Sequence, residues 1–298
     1  MIWVNQIVQG ILLGGYYALL AAGLSLLFGV MRIINLAHGD LTVVAAFAIW
    51  WLNDRTGISV FYALLIVVPV MGVVGAVLQR AILERSLRSG ILVPLLATFG
   101  LAIVAQNLLF EKFGADTRAL DIGSLAYDSW KITDQLYVSH LAVLIFVVAV
   151  ALLGGLQLFL SRTSLGRAIR ATAQDPDTAE LVGVNSRRVY AIAAAIAVGT
   201  AAVAGAFLGM RATFDPYTGP IQLIYAFEAV VIGGTGSLWG TLVGGIVLGV
   251  SQAVGAQLDP QWPILTGHLV FLAVLAARLL RTGIEGRGGL RILLGART

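Results

Sequence analysis

QLYVSHLAVLIFVVAVALLGGLQLFLS, residues 135–161, runs without a single Asp, Glu, Lys or Arg. A helix needs about 20 apolar residues to cross about 30 Å of hydrocarbon, so this stretch is long enough to span a bilayer. Leu, Val, Ala and Gly fill it without the period-two alternation of a barrel strand, and a hydrocarbon core leaves no backbone group free to hydrogen-bond water. Its reading is a transmembrane helix.

Similar uncharged runs cover residues 1–31, 56–79, 89–110, 189–210, 229–258 and 260–277. Of the 298 residues, 59% are hydrophobic and 11% charged, and the mean hydropathy is +0.92. A soluble domain cannot solvate its surface with so few charges. The expected fold is an all-α, polytopic membrane protein with about eight transmembrane segments, some broken or short. No polar stretch is long enough for a second domain, so residues 1–298 read as one membrane domain. The first run has no preceding Lys or Arg and no small-residue cleavage site, which predicts that it is retained. There is no cysteine, which excludes disulfides, thiolate metal sites and cysteine nucleophiles.

The pI near 9.6 follows from basic residues gathered at one face of a membrane rather than from a nucleic-acid partner. Arginines cluster at Arg80, Arg85 and Arg88; at Arg162, Arg167, Arg170, Arg187 and Arg188; and at Arg278, Arg281, Arg287, Arg291 and Arg297. The positive-inside rule makes these segments cytoplasmic, including the loop 161–188 and the tail 281–298. The acid-rich loop 111–137 is then external, two crossings away. Counting onward, the loop 211–220 is external while the tail is cytoplasmic, which requires an odd number of crossings between them. Gly233, Gly234 and Gly236 are therefore expected to break the long run into two pieces, followed by a last span near residues 263–280.

Two interruptions suggest an internal echo: INLAHGD at residues 34–40 and GGTGSLWG at residues 233–240. Breaks in corresponding positions of two halves mark a transport path, because freed backbone groups line it; an ordinary loop and a tightly packed glycine helix are the alternative. Asn35, His38, Gly39 and Asp40 stand at the edge of an apolar segment, where polar groups are costly. Asn35 and His38, three apart, would share a face on a helix. They suit a gate, or Asn35 and Asp40 serve as caps. Glu228 is an isolated acid in the run YAFEAVV, facing a path or pairing with an arginine such as Arg211. Glycines spaced by four, Gly236/Gly240/Gly244, Gly245/Gly249 and Gly205/Gly209, predict close helix packing.

The loop 161–188 carries its own helix signals. Asp175 can cap, Pro176 suits a first turn and Gly183 suits the residue after the end. Ala179, Leu181 and Val182 offer an apolar contact surface for a partner; a plain connector whose arginines fix topology is the alternative.

The run from Gly166, Arg167 and Arg170 through Asp175, and on through Ala179, Glu180, Leu181 and Gly183, resembles the cytoplasmic coupling segment of the branched-chain amino acid permeases of ABC importers, the LivH type. GLSLLFGVMR at residues 23–32 with Ile34, Asn35 and the AHGD run at 37–40 is similar to that family's N-terminal signature. GGTGSLWG with Gly244 and Gly245 is a third match. The blocks fall in order along nearly the whole chain. The resemblance implies a bacterial inner-membrane permease subunit for branched-chain or related amino acids. It also implies a second homologous permease, two cytoplasmic ABC ATPases and an external solute-binding protein as partners, with cargo such as urea or amides as the variant within the family. The chain itself is expected to hold no cofactor, no metal and no catalytic residue. A P-loop needs Gly-Lys-Ser/Thr, yet Lys112 follows Glu111 and Lys131 follows Trp130.

Two rival functions make distinct demands. An intramembrane hydrolase needs Ser237 hydrogen-bonded to His268, although Thr235 replaces the glycine expected two residues before such a serine. A stand-alone secondary transporter needs no ATPase.

Overall fold

The computed structural model describes residues 2–295 except 88, 89, 91 and 135. Arg88, the side chains from residue 281 onward and residues 296–298, which hold most of the expected basic tail, lie outside the described residues. The chain opens with α1 (Ile2–Met31), α2 (His38–Thr56) and α3 (Val60–Leu78), which continues through a π-helical turn at Gln79–Leu83 into α4 (Glu84–Leu87). Then come α5 (Leu92–Phe113), a hairpin of β1 (Ser129–Thr133) and β2 (Leu136–Ser139), and α6 (His140–Arg162). A polar arm of α7 (Ser164–Gln174) and α8 (Pro176–Leu181) precedes α9 (Ser186–Arg211), α10 (Gly219–Gly233), α11 (Leu238–Leu258) and α12 (Pro263–Gly295). Among the described residues, 7 helical segments are long and apolar enough to cross a membrane, and α10 is a shorter apolar one. This is the polytopic helical architecture expected, with one small antiparallel hairpin that closes the loop 111–137 and takes in residues 136–139, so the helix read over 135–161 starts only at His140.

Local chemistry sets the element ends. Ser139, Thr163, Asn185 and Ser237 each cap a following helix by accepting a backbone N–H, at α6, α7, α9 and α11. Helix α2 stops at Gly57, whose φ of 68° is left-handed. The run 229–258 breaks as anticipated: α10 ends at Gly233, Gly234 and Gly236 take φ of 98° and 81°, and α11 starts at Leu238.

Helices α1 and α9 form the buried centre, while α5, α6 and α12 present apolar outer faces such as Leu96, Leu158 and Leu272. Lipid tails are as apolar as leucine, so close packing must hold the centre together. The glycines allow it. An added Cβ on Gly14 would lie 2.4 Å from the Ile246 backbone, and one on Gly249 2.3 Å from the Gly10 carbonyl, so α1 and α11 touch backbone to backbone. Gly75 lies as closely on Ala194 of α9.

The order of contacts reveals two related quartets of opposite sense. In the first, α1, α2, α3 and α5 follow one another; in the second, α9, α10, α11 and α12. Helix α1 packs along α11 and α9 along α3, while α2 lies against α9 and α10 against α1. Helices α1 and α9 run antiparallel, since Leu26, Leu27 and Val30 near the end of α1 pack with Val189 and Ala193 near the start of α9. Each quartet's second helix begins inside the bundle after a non-helical return. Six residues, 32–37, carry the chain back from Met31 to His38, whose ring bonds the Leu20 carbonyl. That return covers about 16 Å of helix rise, within the reach of six extended residues. The matching return is 212–218, before α10.

The echo read from the sequence therefore pairs the wrong segments. The counterpart of 34–40 is the link before Gly219, whereas GGTGSLWG lies at the bundle end near Gly29. Glycine runs are conspicuous in sequence; the true counterpart carries Phe214, Asp215 and Tyr217 and looks like an ordinary loop.

Candidate functional site

Two helix N-termini meet in the middle of the bundle. A Cβ on Gly39 would sit 2.0 Å from the Gly219 carbonyl, and one on Gly219 2.1 Å from Asp40 Oδ1. Both positions need glycine because backbones touch there. Asp40, in the first turn of α2, is buried and accepts a hydrogen bond from Gln106 Nε2 of α5 at 2.8 Å. The Gln106 amide and the adjoining first turns of α2 and α10 are the polar groups this buried side chain meets. His38 is fully buried and its Nε2 is 2.8 Å from the Leu20 carbonyl, while its Nδ1 has no partner among the described residues. Asn35 accepts from the Ala37 N–H at 3.0 Å. Asn35 and His38 do not share a helical face, as the spacing suggested: Asn35 belongs to the non-helical link, and α2 starts only at His38. Asn35, His38, Gly39 and Asp40 are nonetheless brought together with α10 at one junction.

A second polar thread reaches this junction from α1. Tyr16 donates to Gln222 Oε1 of α10 at 2.9 Å, and Tyr17 donates to Gln252 Oε1 of α11. The ring of Tyr17 lies 5.0 Å from that of Tyr225. These residues escaped the sequence reading because tyrosine and glutamine inside an apolar run carry no formal charge. Their signal is polar groups on three separate spans, which only the packing aligns.

Glu228 is 2% exposed and lies 2.5 Å from His268 Nδ1 of α12. It does not pair with Arg211, whose guanidinium instead lies 4.7 Å from the Tyr16 ring centroid. The same contact disposes of the hydrolase pair. His268 is engaged by Glu228, and Ser237 accepts the Gly240 N–H as a cap at 3.0 Å, so Ser237 and His268 are not brought together.

Gly233, Gly234 and Gly236 sit at the end of the bundle that also carries the polar arm. Gly233 packs on Gly240 and Gly236 on Gly29, while Arg278 donates to the Ile232 carbonyl at 2.9 Å. A cavity of about 200 Å³ there is lined by Gly29, Gly236 and Leu238 and by Ile169, Arg170 and Ala173 of α7. The glycine break and the arm thus share one wall, far from the mid-bundle junction.

The arm is built as its residues dictate, with one addition. Asp175 Oδ1 accepts from the N–H groups of Asp177 and Thr178, each at 3.1 Å, with Pro176 in the first turn of α8. These bonds, the Thr178 hydroxyl first among them, hold the exposed Asp175 carboxyl below the usual aspartate range. Gly183 is left-handed, φ 87°, with open space around it. The addition is α7, an amphipathic helix that buries Gly166, Ile169 and Thr172 and carries Arg167 outward. Gly166 is forced by packing, because a Cβ would meet the Phe159 and Leu160 carbonyls at 2.4 Å. The expected apolar contact surface is divided. Ala179 is buried within the arm, whereas Leu181 and Val182 are 87% and 76% exposed beside the exposed Glu180. The short α8 turns one face inward and presents only its tip.

At the opposite end, between the loop 111–137 and the ends of α6 and α9, lies a cavity of about 630 Å³. Among the described residues no cluster of His, Asp and Glu could hold a metal ion.

Comparison with known proteins places these features in context. The family model described as branched-chain amino acid transport system / permease component matches residues 6–279. The high-affinity branched-chain amino acid transport system permease protein BraD of Pseudomonas aeruginosa is 33% identical over 96% of both chains. The corresponding permease LivH of Escherichia coli is 28% identical over 96% of both. The fructose import permease protein FrcC of Rhizobium meliloti is 30% identical over 63% of this chain and 56% of that one. No solved structure matches significantly.

Proposed function

The chain belongs to the branched-chain amino acid transport system permease family, and from that membership we propose that it is the membrane-spanning permease of an ABC importer. Its cargo is a branched-chain or related amino acid, and its site is the bacterial cytoplasmic membrane. A second homologous permease completes the membrane unit, two ATPases at the basic end supply power, and an external solute-binding protein delivers the solute. The chain performs no chemistry and needs no cofactor or metal of its own.

The observation that carries this reading is the arm α7–α8. Leu181 and Val182 form an apolar tip in a charged setting, with Arg187 beside it ion-paired to Glu84 at 3.0 Å. A bare apolar tip on a capped, rigid turn suits insertion into a groove of a partner. Behind the tip, α7 walls the cavity at Gly236 and Gly29. Displacement of α8 by an ATPase is thereby passed through α7 to the break between α10 and α11. The arm then lies in the cytoplasm and the hairpin end outside, with three crossings, α10 to α12, between the loop 211–220 and the tail.

Reconstituting the chain with its partner subunits in vesicles tests the proposal. Uptake of leucine requires ATP and the ATPases; full uptake without nucleotide would make the chain a stand-alone transporter instead. The likeness to FrcC favours one second reading, the same machinery with a different solute. The solute retained by the binding protein purified alongside this chain separates the two.

A further inference from the structure

Arg211, at the end of the bundle opposite the basic arm, is a cation without a counter-ion among the described residues. Two other cations there have carboxylate partners, Arg118 with Asp116 and Lys131 with Asp134, while Lys112 lies over the Trp51 and Phe113 rings. Arg211 has no carboxylate partner among the described residues, and its guanidinium lies 4.7 Å from the Tyr16 ring centroid. A cation in the last turn of α9 also suits the helix dipole. That alone would be met equally by a side chain reaching out to water, as exposed Arg55 is placed to do at the end of α2. Arg211 is exposed as well, but its guanidinium lies over the ring of the buried Tyr16.

It also stands in the wall common to two cavities. The larger, about 630 Å³, lies under the loop 111–137 and is lined by Leu120, Asp121, Ser139, Leu141, Ile145 and Arg211. The smaller, about 220 Å³, is lined by Leu12, Leu13, Tyr16 and again Ile145 and Arg211. The first is of a size that admits a small solute. Passing from one to the other, a solute meets an unmatched guanidinium, aliphatic walls, and the Asp121 carboxylate and Ser139 hydroxyl as acceptors. Tyr16 then links Arg211 to Gln222 in the first turn of α10, and so to the mid-bundle junction.

From this geometry we infer that Arg211 is a reception site for the carboxylate of an apolar α-amino acid on its way into the bundle. The guanidinium takes the carboxylate, Leu141, Ile145, Leu12 and Leu13 receive the side chain, and Asp121 and Ser139 face the ammonium group. The inference rests on the reading of this chain as an amino-acid permease. A single charge-assisted contact with water access is strong enough to orient the solute and weak enough to release it.

Two measurements on the complete transporter in vesicles test the site. Phenylglyoxal labelling of Arg211 in the wild-type assembly, read by mass spectrometry, is slowed by leucine and not by leucinamide, which lacks the carboxylate. In parallel, R211Q lowers leucine uptake by roughly 10-fold or more at equal abundance in the membrane, and R211K retains a larger share because it keeps the charge. Unchanged uptake in R211Q, or equal labelling with and without leucine in an assembly that imports it, overturns the inference. A wild-type assembly that imports no amino acid, yet whose Arg211 is protected by the carboxylate of another imported solute, removes the amino-acid assignment and leaves the carboxylate site standing.

Discussion

Glu228 and His268 show what one buried contact means where no water can replace it. Glu228 Oε2 has no partner among the described residues, so His268 carries the only side-chain bond the carboxyl makes. Removing the imidazole leaves a buried acid without compensation, and H268L is expected to lower stability by about 2 kcal/mol or more. Adding E228Q in the same chain restores much of the loss, because an amide needs less solvation than a carboxylate. Thermal unfolding in detergent of the two single variants and the double variant reads this coupling, and strictly additive losses would remove it. Asp40 obeys the same logic. D40A deprives the Gln106 amide of its acceptor and empties the site packed against Gly219, and is expected to cost about 1–3 kcal/mol in the same assay.

Among the elements, the arm and the junction respond to different changes. The Asp175 carboxyl is held below its ordinary range by the Thr178 hydroxyl and backbone amides. Its bonds to α8 are complete at any pH above the ordinary aspartate value and are lost as pH falls through the lowered one. Protection of the Asp177 and Thr178 amides relative to their intrinsic exchange rates should therefore persist at neutral pH and be lost only as pH falls through the lowered value. In D175A the protection should be weaker throughout, and pH-independent protection in the wild type would contradict the cap. Gly183, in contrast, has free space around it and a backbone angle that other residues adopt at a cost of about 1 kcal/mol or more. Exchange to tryptophan there should leave the spans folded yet uncouple ATP hydrolysis from uptake; normal coupling would speak against docking at this helix end. At the junction no space exists, and G39A or G219A should disrupt the packing of α2 against α10.

At the level of the whole molecule, the absence of cysteine makes topology directly testable. Single cysteines at Leu181 and Tyr127, both 87% exposed, sit at opposite ends of the bundle. With intact cells, an impermeant maleimide is expected to label Y127C and to label L181C only after lysis. The reverse pattern would invert the orientation derived from the arginines. The inverted pairing of the two quartets gives the molecule a central pair, α1 and α9, held by glycine contacts on α11 and α3. Outer helices α5, α6 and α12 are thereby left with wide apolar surfaces.

Much of this was already present in the order of residues. The uncharged runs foretold the spans, because hydrocarbon excludes charge over a fixed thickness, and the break at Gly233 followed from counting crossings between basic segments. Asp175, Pro176 and Gly183 announced α8, since capping is a local matter of neighbouring side chains and backbone. Tertiary structure alone decided the rest. It made 212–218 the counterpart of 32–37, placed Asp40 against Gly219, gave Glu228 to His268 rather than Arg211, and turned Ala179 inward while leaving Leu181 bare. In a chain so uniformly apolar, hydropathy reports only that a helix is in the membrane. Which face meets which neighbour depends on where glycines let backbones touch and on which scattered polar groups then fall within hydrogen-bonding distance.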